Sequence, residues 1–369
     1  FTRIRSEKFY QKYRRYNPGQ LQYPDWVFDF LQDKNKFTAL YNERGLIGAA
    51  HYLQVTDGVI AKYADKYNLA RRGYRSSYEQ VIEGWLRALD ISYKANCKSI
   101  LLYEGRSFEL DWYFTELNLA VEFCGLFYHS EINGKKDRGY HRWKHDECKQ
   151  QNIKLITIFE DEILDRPNVV YNTLKTKLGY GDKGKFARQL NIQDVSYDIA
   201  KQFLEDFHLQ GSGSPNGIRI GAYYNEELVG LMTFAKHGQE NGHWELKRYV
   251  TNGKSYAGLA SKLFSQFIKH YEPKFILTYA DLRWSDGNLY KNLGFQLKYE
   301  TGPNYWYLPN YRERQHRSSW NKGRIRKKFG LADDFEFQEW PFMQSKGYDR
   351  IWDCGNQRWE WWWPNLYDC

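Results

Sequence analysis

Residues 110–131 read LDWYFTELNLAVEFCGLFYHSE, and the alternation within this stretch decides the fold of the central region. An apolar and aromatic run, Phe108 to Phe114, carries single acids at Glu109 and Asp111; a polar segment, Thr115 to Asn118, follows; Leu119 to Phe123 is apolar again. Two such runs joined by a short polar segment predict a β-hairpin. With those four residues as the loop, Phe114 pairs with Leu119 and Asp111 falls opposite Glu122. Like charges facing each other destabilise a sheet, so the pair calls for a divalent cation or a proton between the two carboxylates. Oxygen ligands suit Mg²⁺ (or Mn²⁺), which activates water and neutralises a phosphodiester transition state. The bland alternative is a hairpin edge with its charges turned to solvent. Asp111 lies within a strongly apolar strand, which argues against it.

Further out, the chain continues through His129, then Tyr140, His141 and Lys144, then an apolar strand from Lys154 to Phe159 closed by Glu160, Asp161 and Glu162. His141 and Lys144 are three residues apart and share one helix face. Upstream, Ser76 to Glu79 opens a helix, where Glu79 serves either as a capping-box acid or as a further member of the acidic site. The whole pattern resembles phage-encoded homing endonucleases of the Vsr-like group (very-short-patch-repair endonuclease fold), part of the restriction-endonuclease-like superfamily. The match covers about 90 residues and departs at Cys124, where the group usually has Asn, and at Tyr128, where Trp is commoner. The resemblance implies an α/β domain with a mixed sheet flanked by helices. It makes Asp111 the metal-binding acid of the second core strand, Glu122 the acid of the third, His129 the histidine of an aromatic-His pair, His141 and Lys144 the downstream basic pair, and Glu79 the acid of the first helix.

The chain has 369 residues, 42% of them hydrophobic, with a formal charge of +9 and a mean hydropathy of −0.79. That supports several ordinary cores, and the absence of any run of 18 apolar residues excludes a membrane-spanning helix. Five scattered cysteines without a Cys-x-x-Cys pair argue against a disulfide framework and a structural zinc site, and fit a reducing cytoplasm, that of a bacterial host if the gene is carried by a phage. The charge is concentrated: residues 1–16 and 311–330 together sum to +12, leaving −3 for the rest. Basic residues interleaved with aromatics predict a polyanionic partner, double-stranded DNA, contacted by Arg3, Arg5, Lys12, Arg14 and Arg15 and by Arg312, Arg314, Arg317, Lys322, Arg324, Arg326, Lys327 and Lys328. The bland alternative is two solvated faces. Boundaries fall near 72 and 185. Residues 1–72 form a basic helical region with a helix-turn-helix-like turn at Gln54 and Val55, 73–180 the nuclease-like domain, 188–309 a second α+β domain, and 310–369 a basic, Trp-rich extension. The run of Trp359, Trp361, Trp362 and Trp363 either packs back on the second domain or stacks on bases.

Within 188–309, Ser255-Tyr-Ala-Gly258-Leu-Ala260 opens a helix, and Tyr290 precedes Gly294 and Phe295. This is similar to the GNAT acetyltransferase fold. There a Gly-rich helix N-terminus binds the pyrophosphate of acetyl-CoA and a tyrosine serves as general acid. Ser255 stands where that motif usually has Arg or Gln, which argues against acetyl-CoA and leaves a docking role open. The sequence therefore predicts a metal-dependent, site-specific DNA endonuclease of the homing type. The alternatives are a GNAT-type acyltransferase or nucleobase-modifying DNA-binding enzyme, and a non-catalytic DNA-binding protein.

Overall fold

The computed structural model describes residues 24–67, 69, 77–103, 106–213 and 216–363. Two compact units divide after Val81. In the first, α1 (Asp25–Gln32), α2 (Lys34–Leu53) and α3 (Asp57–Lys66) bury Val27, Leu31, Phe37, Tyr41, Leu53 and Ile60 in one cluster. Gln54 takes a left-handed conformation (φ 54°) and the Val55 amide donates to the Ala50 carbonyl at 3.0 Å, giving the tight turn expected there. The Tyr67 hydroxyl reaches the carbonyls of Leu31 and Gln32, both at 2.7 Å, and ties the end of α3 to α1. The basic residues Arg3, Arg5, Lys12, Arg14 and Arg15 lie outside the described residues.

The second unit begins within α4 (Ser77–Ala88), and its described residues form three sheets. The first runs in the order β1 (Lys94–Tyr103), β2 (Arg106–Phe114), β3 (Leu119–Cys124), β4 (Lys154–Phe159). The β2/β3 register places Phe114 on Leu119 and Trp112 on Val121, as the four-residue loop requires. β3 and β4 are parallel, so the chain between them must cross over. It does so through α5 (Tyr140–Gln150), which buries His141, Lys144 and Cys148. β3 is buried along its whole length. After β4 come α6 (Glu160–Asp165) and α7 (Pro167–Lys177).

The largest sheet is built on β5 (Asn191–Asp194), β6 (Ile218–Tyr224), β7 (Glu227–Lys236), β8 (His243–Thr251), β9 (Phe275–Asp281) and β10 (Gln296–Glu300), with α8 (Tyr197–Phe207), α9 (Leu259–Tyr271) and α10 (Asn288–Asn292) between them. The seventh strand is β14 (Asn356–Trp362), inserted between β10 and β9. The Trp-rich run thus packs into a sheet: Trp359 is buried and Trp361 meets Phe264 edge-on at 5.7 Å. Gly287 accommodates this closure, since a Cβ there would lie 2.2 Å from the Trp359 ring and its φ is +76°. The third sheet, in the order β12 (Gln315–His316), β11 (Tyr305–Leu308), β13 (Asp349–Trp352), is accompanied by α11 (Lys322–Phe329) and α12 (Glu339–Ser345).

A buried ionic cluster joins the three sheets. Arg283 pairs with Glu162 at 2.9 Å and Asp281 at 2.8 Å, while Arg314 pairs with Asp161 at 2.8 Å and Glu162 at 3.1 Å. Both guanidinium groups lie over the Phe159 ring. Desolvation opposes ionisation of Glu162, but the two arginines prevail and hold its carboxyl below the usual range.

Candidate functional site

Two regions gather polar chemistry. In the first, β2 and β3 carry Asp111 and Glu122, and α5 lays His141 and Lys144 against them. Asp111 Oδ2 accepts the Phe123 amide at 2.8 Å. Glu122 Oε1 is paired with Lys144 Nζ, which also donates to the Glu109 carbonyl at 2.6 Å. Both side chains are almost wholly buried. Burial raises the Glu122 pKa against the pull of Lys144. Burial also acts to lower the Lys144 pKa, yet the adjacent carboxylate prevails and holds the ammonium above its ordinary range. His141 and His129 stack with their rings 5.3 Å apart, and His129 Nδ1 lies 3.1 Å from His141 Nε2. Burial pushes His141 down to about 3 and lowers His129 well below the usual histidine value, so both imidazoles are neutral at pH 7. Glu79 sits in the first turn of α4.

This geometry removes the reason for placing Mg²⁺ between two facing acids. Lys144 supplies the counter-charge to Glu122, and Asp111 serves the β3 backbone. Among the described residues, the group whose donor atoms converge as metal ligands is Cys124, His129 and His141, a sulfur and nitrogen set that hard Mg²⁺ does not favour.

The second region was only half legible in the sequence. β8 and β9 are parallel and pair over just three positions, His243 on Phe275, Trp244 on Ile276 and Glu245 on Leu277. Beyond these they part. β9 stays paired with β14 along its whole length and β8 stays with β7 as far as Thr251, so the β9-facing edge of β8 from Leu246 to Thr251 opens onto a cleft of about 480 Å³. Thr278 Oγ1 donates to the Leu246 carbonyl at 2.9 Å and closes the throat. Arg248, Tyr249, Ser255, Tyr256, Tyr279 and Tyr290 line the walls, and α7 flanks the opening with Asn172 and Lys177. At the far end, Gly258 (φ 78°) is the N-cap of α9, whose first turn has amides without intrahelical partners.

Arg248 is the residue that sequence reasoning missed. Its Nε is buried without a hydrogen-bond partner, its Nη1 donates only to the neighbouring Lys247 carbonyl at 2.8 Å, and among the described residues no carboxylate forms an ion pair with it. A half-buried guanidinium without an ion pair is costly, and Glu245 reaches it only through space. Nothing in the local pattern of β8 distinguishes Arg248 from the exposed Lys247 beside it; the splay that exposes it to the cleft is a tertiary feature. Tyr290 is half-buried against Thr278 and Arg248, and burial holds its phenol above the ordinary value and therefore protonated. Ser255 does not point an arginine or glutamine at this cleft, and its amide is committed to the Asp182 carbonyl at 2.7 Å.

The strand order and the splay are GNAT-like. Solved structures similar to the chain include a Bacillus subtilis acetyltransferase in complex with CoA (14% identity, 47% of this chain and 99% of that one, TM-score 0.26). A GNAT family acetyltransferase from Elizabethkingia anophelis with acetyl-CoA bound has the same values. The ribosomal-protein-S18-alanine N-acetyltransferase from Escherichia coli follows at 11% identity, 48% and 99% coverage and a TM-score of 0.29. No protein family and no curated protein matches the chain. The expectation of a homing endonuclease is corrected on the site's own geometry: Glu122 is paired with the buried Lys144, and Asp111 accepts the Phe123 amide. The region from β1 to β4 is a mixed sheet flanked by helices.

Of the basic tail residues, Arg314 is buried in the ionic cluster and unavailable to a phosphate. Arg326 is half-buried with Nη2 on the Phe335 carbonyl at 3.1 Å. Arg312, Arg317, Lys322, Arg324, Lys327 and Lys328 are exposed.

Proposed function

We propose that the domain built on β5–β10 and β14 is a GNAT-type acyltransferase whose cleft binds an acyl-CoA. The observation that carries this reading is the unpaired β9-facing edge of β8 beside an anion-seeking arginine. An extended chain bearing amides pairs with such an edge as an added strand would, and Arg248 together with the α9 N-terminus suits an anionic end. The residues fit acetyl-CoA, although Ser255 and its committed amide leave phosphate binding to Arg248 and the amides that follow. When bound, the carrier supplies an activated thioester. The β8 edge orients it, the Thr278–Leu246 contact blocks deeper entry, and the protonated Tyr290 hydroxyl is placed to give a proton to the leaving thiolate.

The test is binding followed by turnover. Acetyl-CoA at 100 times its Kd should stabilise the protein by about 2.7 kcal/mol, and free thiol should appear when an amine acceptor is added. No thermal shift at millimolar acetyl-CoA would refute the reading. The exposed basic face of α11, with Lys322, Arg324, Lys327 and Lys328 beside a groove of about 410 Å³, supports a polyanion as a second partner, double-stranded DNA being the candidate.

A further inference from the structure

The cluster at the end of β3 is not used by the acyltransferase reading. Cys124 closes β3, His129 follows the turn after it, and His141 opens α5. One donor atom from each lies within 4.8 Å of the other two. Cys124 and His141 are buried at 0% and 3% exposure; the thiol packs in a cluster with Leu126, Phe159, Leu308 and Ile351, beside the Glu122–Lys144 pair. His141 Nδ1 is also buried without a hydrogen-bond partner.

We propose that Cys124, His129 and His141 bind one Zn²⁺-class transition-metal ion, with the fourth position facing the half-buried side of His129 and open to water. A thiolate with two imidazoles is a borderline-soft donor set that selects Zn²⁺ over Mg²⁺. The spacing agrees: a tetrahedral centre with Zn–N bonds of about 2.05 Å holds its nitrogens roughly 3.3 Å apart, and His129 Nδ1 and His141 Nε2 stand 3.1 Å apart. Ligation needs the thiolate, so metal uptake releases the Cys124 proton to solvent. Cysteine spacing alone hid this set, because its partners are histidines 5 and 17 residues further on. The ion would fasten the long crossover from Gly125 to Gly139 to both β3 and α5.

The experiment uses the full chain, stripped with chelator and reloaded. Elemental analysis after removal of excess Zn²⁺ should give one equivalent per chain, and Co²⁺ in its place should give tetrahedral d–d bands with a thiolate-to-metal charge-transfer band in the near ultraviolet. Cys124→Ser should abolish the charge-transfer band. Because Cys124 is buried and its replacement risks the fold, His129→Ala at the half-buried position is the second variant; it should keep the fold and weaken Co²⁺ binding by about tenfold or more, at least what loss of an outer-shell partner costs. Substoichiometric Zn²⁺, an octahedral Co²⁺ spectrum without charge transfer, or a charge-transfer band that survives in Cys124→Ser would each overturn the proposal.

Discussion

Lys144→Met tests whether the most buried charges of the mixed-sheet module form a structural pair. Methionine keeps the length and apolar body of the stem and removes the ammonium, leaving Glu122 Oε1 and the Glu109 carbonyl without their donor; Glu122 Oε2 already lacks a partner. Breaking a buried pair by removing one member costs about 3–5 kcal/mol. The stranded carboxylate has an escape, however, since it can protonate. At pH 7 that costs about 1.36 kcal/mol for each of the roughly 2.7 units separating pH from an ordinary glutamate pKa, or about 3.7 kcal/mol, and at pH 5 only about 1 kcal/mol. The variant should therefore lose about 3–4 kcal/mol at pH 7 and markedly less at pH 5. The sign follows from linkage: in the variant, folded Glu122 holds a proton that the unfolded chain releases, so relative stability rises as pH falls. Thermal unfolding of the full chain should show a drop of roughly 5 °C at pH 7. Glu122→Gln combined with Lys144→Met should recover much of it, because the double change removes both charges together. A loss below about 1 kcal/mol at pH 7, or an equal loss at both pH values, would refute the assignment of Lys144 as the counter-charge of Glu122.

Arg248→Met should leave the melting temperature near wild type, because Arg248 has no ion pair to lose, while weakening CoA binding by about 10- to 150-fold, the range for a charge-assisted bond of about 1.5–3 kcal/mol; isothermal titration measures it, and an unchanged Kd removes Arg248 from the site. His208, whose Nδ1 accepts the Gln210 amide at 3.1 Å, is lowered to about 3, first by burial and then by Arg248 and Arg166. Its contribution is complete above about pH 6.5 and is lost as pH falls, by up to about 2 kcal/mol at pH 5, where the unfolded imidazole takes a proton and the folded one does not; His208→Gln should flatten this part of the stability profile, and an unaltered profile would contradict the burial argument. Replacing Lys322, Arg324, Lys327 and Lys328 with Ala should make the slope of log K against log[salt] for duplex DNA shallower by about 2–4 units, at roughly 0.9 per phosphate released; an unchanged slope would mean that this face is only solvated.

The hairpin was legible because its period, its polar loop and its two apolar runs are local features, and the Phe114–Leu119 register followed from counting. The partner of Glu122 was not. Lys144 lies 22 residues away, and its helix face was equally compatible with pointing at a bound phosphate; only the buried contact with Glu122 distinguishes a counter-charge from a catalytic cation. Arg314 shows the same limit from the other side. Composition grouped it with seven other basic residues, but its neighbours in space are Asp161 and Glu162, acids that close a strand some 150 residues earlier. In the second domain, the helix opened by Gly258 was readable from small residues at the right spacing. The parting of β8 from β9 was not, since a strand that loses its partner halfway keeps the same apolar alternation.

The ionic cluster gives the cleft a mechanical consequence. Arg283 stands two residues beyond the end of β9 and joins Asp281, at the C-terminal end of that strand, to Glu162 on α6. The next helix, α7, flanks the cleft with Asn172 and Lys177, so one wall of the opening belongs to the mixed-sheet module and the opposite wall to β8. Because Arg283 is desolvated and its pairs are buried, the two walls are coupled through a contact that is costly to break on one side alone. On the proposed acyltransferase reading, an acceptor entering beside α7 meets residues of both modules before reaching Tyr290. On that reading the mixed-sheet module takes part in the specificity of transfer.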